Sequence, residues 1–506
     1  MIPRNRTIAV PPLLLLSILS LTLLAGCGGS SSPNPPTPPL PPAPGPPAPA
    51  LLSSANVNLI FVVSEDLAYQ ASGDMNPKTA NLTNQGLQRS LLMATFLKQQ
   101  VLGAKNVTGI YALTPMTHLQ TTNNYPDMVA LETVQQFAML NQITISSDLA
   151  GGTPYTGQNY PLNASYASMQ VPDGVVTPTQ LCPNCQGLDF SDQGGDNENL
   201  VRGIIKAKAP GFYVFAAPWK TTSALLANIN KSEGYNLAVP MSYGGPNYVY
   251  AISIAPSGTA SLTTYNSNLN PSSGYPVLPG PPLVGAPCGT AQPNFTVTVI
   301  GGRGGALVPA GTNVNETVYI IRHAEAHPRD YWSDNNYVGA GQWRALDLPN
   351  ALRGKIRPDH VYSMDPGQFS QGSVSSASGD STWSNVAPSL TAEPYAIANN
   401  LPYNLVTSFL MSDQNAPQQT STFFFNGGKF SNHTVLLAWA YQYIQPTVSA
   451  LLASYHADGQ TVPDWPDTDY DSIWTVRLDA HGNVTVNNSK CEGIDSAALP
   501  AMPPQF

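Results

Sequence analysis

Apolar positions along this chain fall into one long run and two series of short ones. The long run covers residues 10–24 and follows Arg4 and Arg6. The short runs read as strands, and they recur in the same order in two halves. Leu59-Ile60-Phe61-Val62 opens one half and Val318-Tyr319-Ile320-Ile321 the other. A polar step follows each, Val63-Ser64-Glu65-Asp66 or Arg322-His323-Ala324-Glu325, and helical patterns begin near Thr83 and Gly341. Second strands run into Leu113-Thr114-Pro115 and Met364-Asp365-Pro366. Ser-Asp-Gln then occurs at residues 191–193 and 412–414, ahead of apolar strands at residues 212–216 and 434–438. Each of these strands runs into an aromatic residue and a helical pattern. Alternating strands at residues 248–254 and 470–478 close the two halves, and His481-Gly482-Asn483 has the composition of a hairpin turn.

This order and spacing predict a duplicated unit. Strand and helix alternate within each half, which predicts two tandem three-layer α/β/α domains with mostly parallel sheets. Reactive groups in such sheets gather at the carboxyl ends of the strands, where the polar steps lie. The expected divisions are residues 55–300 and 313–490 for the domains, 301–312 for a linker and 491–506 for a tail. The linker carries Gly301-Gly302-Arg303-Gly304-Gly305, which lacks the Lys-Ser/Thr of a phosphate loop.

Ahead of the first domain the run at residues 10–24 is shorter than the ~20 residues a membrane span needs, and it fits an export signal. Leu24-Ala25-Gly26-Cys27 places small residues before a cysteine and resembles the lipobox of bacterial lipoproteins. The resemblance implies a signal over residues 1–26, cleavage before Cys27 and acyl chains on its thiol, so that the membrane is a partner through a lipid anchor. Gly28 stands where inner-membrane retention commonly uses Asp, which points to an outer membrane lipoprotein. The tether at residues 27–54 is rich in Gly, Ser and above all Pro, a composition that favours extended polyproline II.

Hydrophobic residues make up 42% of the chain, enough for sizeable cores, while charged residues are only 10%. Removing Arg4 and Arg6 with the signal leaves 19 of the 21 basic residues against 30 acidic ones, a net charge of −11. That excess argues against nucleic acid as a partner and leaves room for one local anion pocket. Beside Cys27 there are Cys182, Cys185, Cys288 and Cys491, an even set that suggests disulfides in an oxidising compartment. The spacing of Cys182 and Cys185 suits a local bridge, which would pair Cys288 with Cys491; other pairings remain open. Asp464, Asp467, Asp469 and Asp471 form one acidic loop, and Asp189, Asp192, Asp196 and Glu198 another. Neither has the spacing of a calcium hand, so both read as solvated turns and no metal or cofactor is expected.

Residues 317–328, TVYIIRHAEAHP, are similar to the opening motif of the histidine phosphatase (phosphoglycerate mutase-like) superfamily, a strand ending in Arg-His-Gly. Thr391-Ala392-Glu393-Pro394 also looks like that family's helix after the second strand. The resemblance implies His323 as a phosphorus-attacking nucleophile, Arg322 as a phosphate clamp, Glu325 as a candidate acid and Arg344 as a substitute clamp. A phosphorylated or anionic small molecule would be the ligand; no protein partner is implied. The departures matter as much. Ala324 replaces the glycine, Pro366-Gly367-Gln368-Phe369 holds no second arginine, and Tyr441 stands where a second histidine belongs. His360 and His433 fall at the opposite end of the strands. In the first half Val63-Ser64 replaces Arg-His, His118 lies near the second-arginine position and Trp219 aligns with Tyr441. The expectation is therefore a catalytically impaired pair of domains kept for binding or scaffolding. The rival is a periplasmic or surface phosphomonoesterase with a phosphohistidine at His323, and it fails if Phe369 and Tyr441 fill the cleft.

Overall fold

The computed structural model describes residues 49–506 apart from 71–72, 114, 116–117, 142, 145–162, 165–195, 290, 327–336, 367–368, 372–381, 385, 407, 410, 412 and 457–458. Cys27, Cys182 and Cys185, the export signal and most of the tether lie outside the described residues.

Val57–Ser64 (β1) is buried along its whole length, as a strand covered on both faces must be. It pairs in parallel with Gly211–Pro218 (β3), from Val57 opposite Gly211 to Ser64 opposite Pro218. On its other side it pairs antiparallel with Tyr248–Ile254 (β4). Gly109–Ala112 (β2) adds to β3 in parallel, and Ala260–Asn266 (β5) adds to β4 antiparallel. The first sheet thus runs β5-β4-β1-β3-β2.

The second sheet is built from Thr296–Val299 (β6), Glu316–Arg322 (β7), His360–Met364 (β8), Tyr403–Val406 (β9), Thr434–Trp439 (β10), Ser472–Leu478 (β11) and Val484–Cys491 (β12). Its order is β6-β12-β11-β7-β10-β8-β9. Here β7, β10, β8 and β9 are parallel, while β11 and β12 return antiparallel. The run β12-β11-β7-β10-β8 therefore repeats the order and the strand senses of β5-β4-β1-β3-β2. The fold is mixed α/β, with a parallel centre and an antiparallel flank in each sheet.

Helices follow the same order in both halves. Asn84–Phe96 (α1), Val129–Leu140 (α2), Asp196–Ala207 (α3) and Trp219–Ser232 (α4) belong to the first. Gly339–Ala351 (α5), Ala387–Ala398 (α6), Ala416–Phe425 (α7) and Tyr441–Ser454 (α8) belong to the second. The helical pattern from Thr83 begins one residue later than the sequence suggests, because Thr83 is the N-cap and accepts a bond from the Gly86 amide at 3.2 Å. Gly86 itself is required: a β-carbon there would collide with the Asp74 carbonyl. The hairpin at residues 481–483 is present, with Gly482 at φ +73 between β11 and β12. No helix among the described residues is long and apolar enough to cross a membrane.

Alternation along β10 divides its side chains between two apolar clusters. Val435, Leu437 and Trp439 pack with Ile444, Val448 and Leu452 of α8. Leu436 and Ala438 face the other way, into a cluster shared with Leu348, Leu390, Phe61, Phe137 and Phe215. One core thus contains side chains from both halves.

Residues 284–299, placed by sequence in the first half, pair instead with the second. Val284 bridges Ile494, β6 pairs with β12, and a disulfide joins Cys288 to Cys491 with Cα atoms 5.4 Å apart. The physical reason is that β12 needs a partner on its outer edge, and the connecting segment supplies it. The tail also departs from a simple extension. Trp343 Nε1 donates to the Met502 carbonyl at 2.7 Å, Gln136 Nε2 to Pro504 at 2.7 Å and Thr95 Oγ1 to Phe506 at 3.1 Å, so it touches α5 and both α1 and α2.

Between the halves, Glu132 of α2 and Glu393 of α6 are buried against each other. Burial pushes Glu132 up to about 7; burial and the neighbouring Glu132 push Glu393 well above the usual carboxyl range. Both acids are thus held toward the neutral form. Acids raised on folding contribute stability below their unfolded pKa, near 4.5, and lose it as pH rises through the folded value. Glu393→Gln is expected to flatten the pH dependence of chemical unfolding between about pH 5 and 8 and to stabilise the chain at the upper end by roughly 1–3 kcal/mol. An unchanged slope would rule out a raised Glu393.

Candidate functional site

β7 ends on Arg322, opposite Trp439 at the end of β10, so the Arg-His step lies at the carboxyl ends of the parallel strands. The His323 amide extends this pairing by donating to the Trp439 carbonyl at 3.1 Å. His323 Nδ1 lies 2.8 Å from the Ala324 carbonyl. Only a protonated Nδ1 can bond a carbonyl oxygen, so Nε2 of the neutral ring carries the lone pair. Burial, with the adjacent Arg322 charge, holds the imidazole down to about 3, so the neutral form persists at physiological pH. Tyr441 and Tyr470 flank the ring, each with centroids 6.3 Å from it.

Arg322 is not posed as an open clamp. Its guanidinium carbon lies 4.1 Å from the centre of the Tyr441 ring and 3.7 Å from that of Tyr470, a double cation–π stack. Nη1 donates to the backbone carbonyl of Asp467, with the Pro466 and Asp469 carbonyls at 3.5 Å, while the buried Nε lacks a partner. The acidic loop thus holds Arg322 through its backbone. Nor are its carboxylates simply solvated, as the sequence suggests. Asp469 Oδ1 accepts the Asp471 and Ser472 amides at 3.0 Å, and Asp471 Oδ1 accepts those of Gly493 and Ile494 at 2.7 and 2.8 Å.

Glu325 and Arg344 are brought together, but as partners of each other. Arg344 Nε donates to both Glu325 oxygens at 2.9 Å, and Nη2 donates to Oε1 at 2.8 Å. Nη1 donates to Glu492 Oε2 at 2.6 Å, and Ser496 Oγ donates to Glu325 at 2.7 Å. The guanidinium has no solvent exposure. A clamp and an acid must both reach the ligand, and this geometry departs from both expectations: Arg344 and Glu325 form a buried structural cluster. Sequence spacing carried no signal for Glu492 or Ser496, which lie about 150 residues from Arg344. His360 and His433 do lie at the opposite end of the sheet, where their Nδ1 atoms bracket Asp359 at 2.8 and 3.0 Å.

In the first half the equivalent strand ends hold a different set. His118 Nε2 lies 2.8 Å from Asp66 Oδ2 and 3.7 Å from Asp127 Oδ2. Burial alone would lower the His118 pKa, but the bond to Asp66 and the charges of Asp127 and Asp66 raise it. Burial drives Asp127 up to about 7. Trp219 opens α4 as Tyr441 opens α8, packing against Tyr243 and Tyr250 at 6.1 and 5.9 Å.

No protein-family model matches this chain, and no curated protein does. Solved structures with partial likeness include SixA of Agrobacterium tumefaciens, a phosphohistidine phosphatase by assignment, at 15% identity over 32% of this chain and 92% of that one, with a TM-score of 0.19. Phosphoserine phosphatase of Entamoeba histolytica, in complex with 3-phosphoglyceric acid, matches at 15% identity over 42% of this chain and 98% of that one, with a TM-score of 0.22. SixA of Nakamurella multipartitia, assigned likewise, matches at 14% identity over 39% and 96%, with a TM-score of 0.22. At such scores these likenesses transfer neither residue roles nor substrates.

The buried cluster makes a direct prediction. Arg344→Ala leaves Glu325 and Glu492 without their cation and should destabilise the chain by about 3–5 kcal/mol. Guanidinium unfolding of the variant reads this; a loss under 1 kcal/mol would mean that the cluster is not structural.

Proposed function

We propose that this chain is a lipid-anchored protein of the cell envelope, built from two histidine phosphatase-like units in tandem, each of three layers. In this reading it binds a phosphorylated or anionic small ligand and does not hydrolyse it. The repeated strand order supports the tandem arrangement. The observation that carries the loss of catalysis is Arg322, whose guanidinium is stacked between Tyr441 and Tyr470 and bonded to loop carbonyls. A phosphoryl transfer site needs preorganised cations around the equatorial oxygens, and losing one such group costs about 3–4 kcal/mol of transition-state stabilisation.

A second reading has its own observation in the His323 tautomer. With Nδ1 bonded to Ala324, Nε2 is free of a proton and can attack phosphorus. An Nε2–P bond would form as the ester P–O bond breaks, the departing alkoxide would take a proton, and water would then cleave the phosphohistidine. Glu325 is not placed to supply that proton, because both its oxygens are bonded to Arg344.

Hydrolysis of a phosphomonoester by the folded, signal-free Cys27→Ser chain, beside the same chain with His323→Ala, over pH 4 to 8, separates the two readings. Binding without hydrolysis predicts equal, background rates. Turnover that vanishes with His323 would establish the enzyme. The anchor is tested apart: in a bacterial host the full chain should partition with the detergent phase and Cys27→Ser should not, whereas equal partitioning would remove the lipid from the account.

A further inference from the structure

The three side chains at the strand ends of the first half have a geometry their mutual contacts do not explain. Asp66 follows β1 by two residues, His118 lies between β2 and α2, and Asp127 precedes α2 by two residues. Each carboxylate has one oxygen tied to the backbone. Asp66 Oδ1 accepts the Ala68 amide at 2.7 Å, and Asp127 Oδ1 accepts the Val129 amide at 3.1 Å. The Asp127 amide in turn donates to the carbonyls of Pro115 and His118, both at 3.1 Å, which fixes the histidine loop to the acid.

The remaining oxygens, Asp66 Oδ2 and Asp127 Oδ2, converge on His118 Nε2, and all three donor atoms lie within 4.8 Å of one another. Ligands about 2.0–2.1 Å from a tetrahedral ion are about 3.4 Å apart. The separations of 2.8 and 3.7 Å from His118 Nε2 fall on either side of that value. A second observation points the same way. Asp127 has no solvent exposure, yet its Oδ2 makes no hydrogen bond of ordinary geometry, the Gln120 amide supplying only a weak contact. A buried carboxylate oxygen in that state is costly unless a cation meets it.

We propose that Asp66, His118 and Asp127 form a binding site for a divalent transition-metal ion. One imidazole with two carboxylates suits zinc, with a further position left for water or a ligand oxygen. The backbone bonds to each Oδ1 act as the outer shell that orients the ligand oxygens. The opening is on the histidine side, where the His118 side chain is 17% exposed against 4% for Asp66. Lys220, at the start of α4, adds one positive charge near Asp66 and His118, and the two carboxylates outweigh it. The surface trio of Asp359, His360 and His433 is the competitor for zinc, but both Asp359 oxygens are already engaged there. This site stands independently of whether His323 is catalytic.

Zinc titration of the chelator-stripped full chain, under non-reducing conditions and followed by calorimetry, tests the proposal. One tight equivalent is expected; His433→Ala should retain it and Asp127→Asn should weaken it at least 10-fold. Asparagine replaces the buried carboxylate with a neutral isostere, and circular dichroism checks the fold. Zinc binding by Asp127→Asn equal to the unsubstituted chain would overturn the site, as would no binding at all. X-ray absorption of the zinc-loaded, unsubstituted chain gives a reading free of any variant. A single imidazole among oxygen donors supports the site; two imidazoles or any sulfur donor would place the ion elsewhere and overturn it.

Discussion

Arg344 carries a permanent positive charge into the interior, and acidic groups from three separate segments meet it there. Removing such a charge from water costs several kcal/mol, which the surrounding carboxylates roughly offset. The net stabilisation is therefore modest, but the arrangement is highly directional. Glu325 is gripped by two arginine nitrogens, which fixes the backbone just after His323. Nη1 grips Glu492 and Nη2 also reaches the Ile494 carbonyl, which brings the end of β12 and the residues beyond it under α5. Asp471 lies at 3.9 Å and links the same cluster to the loop that holds Arg322. The position of the Arg-His step thus depends on a cation that never faces the crevice.

The positions of the central strands along the chain were legible because each contains a short apolar run, and most runs had a counterpart in the other half. β1 and β10 lie where Leu59 and Thr434 suggest, and the mixed α/β character follows from the alternation of runs and helices. What failed was local in cause. β6 was assigned to the wrong half because pairing with a strand almost 200 residues later leaves no trace in spacing. Tyr470 passed as an ordinary strand residue, since nothing in a single tyrosine announces a guanidinium stacked on its face. Arg344 and Glu325 looked like site residues because the family resemblance called for a second cation and an acid near Arg322-His323; the bland alternative for Arg344 was an exposed helical arginine. Only the partners distinguish them, and Glu492 is far off in sequence.

The two halves differ at one place in the fold. In the second, the polar step carries an Arg-His pair, with the arginine stacked between two tyrosines. In the first, the strand runs out through Val63-Ser64, and Asp66 meets a histidine supplied from beyond β2. The core strands of both halves are held by apolar side chains, which do not read the charge at their ends.

The residues that fasten the tail have a temporal consequence. Gln136 bonds a carbonyl 368 residues further along, and Thr95 one 411 residues further. A chain made from the amino end must therefore keep α1 and α2 waiting, these polar groups unmet, until almost everything else has been synthesised. Contacts of such long separation are slow to form and leave apolar surface uncovered meanwhile. Maturation of this protein should be governed less by the strength of its finished core than by how well its early half is sheltered while the rest is made.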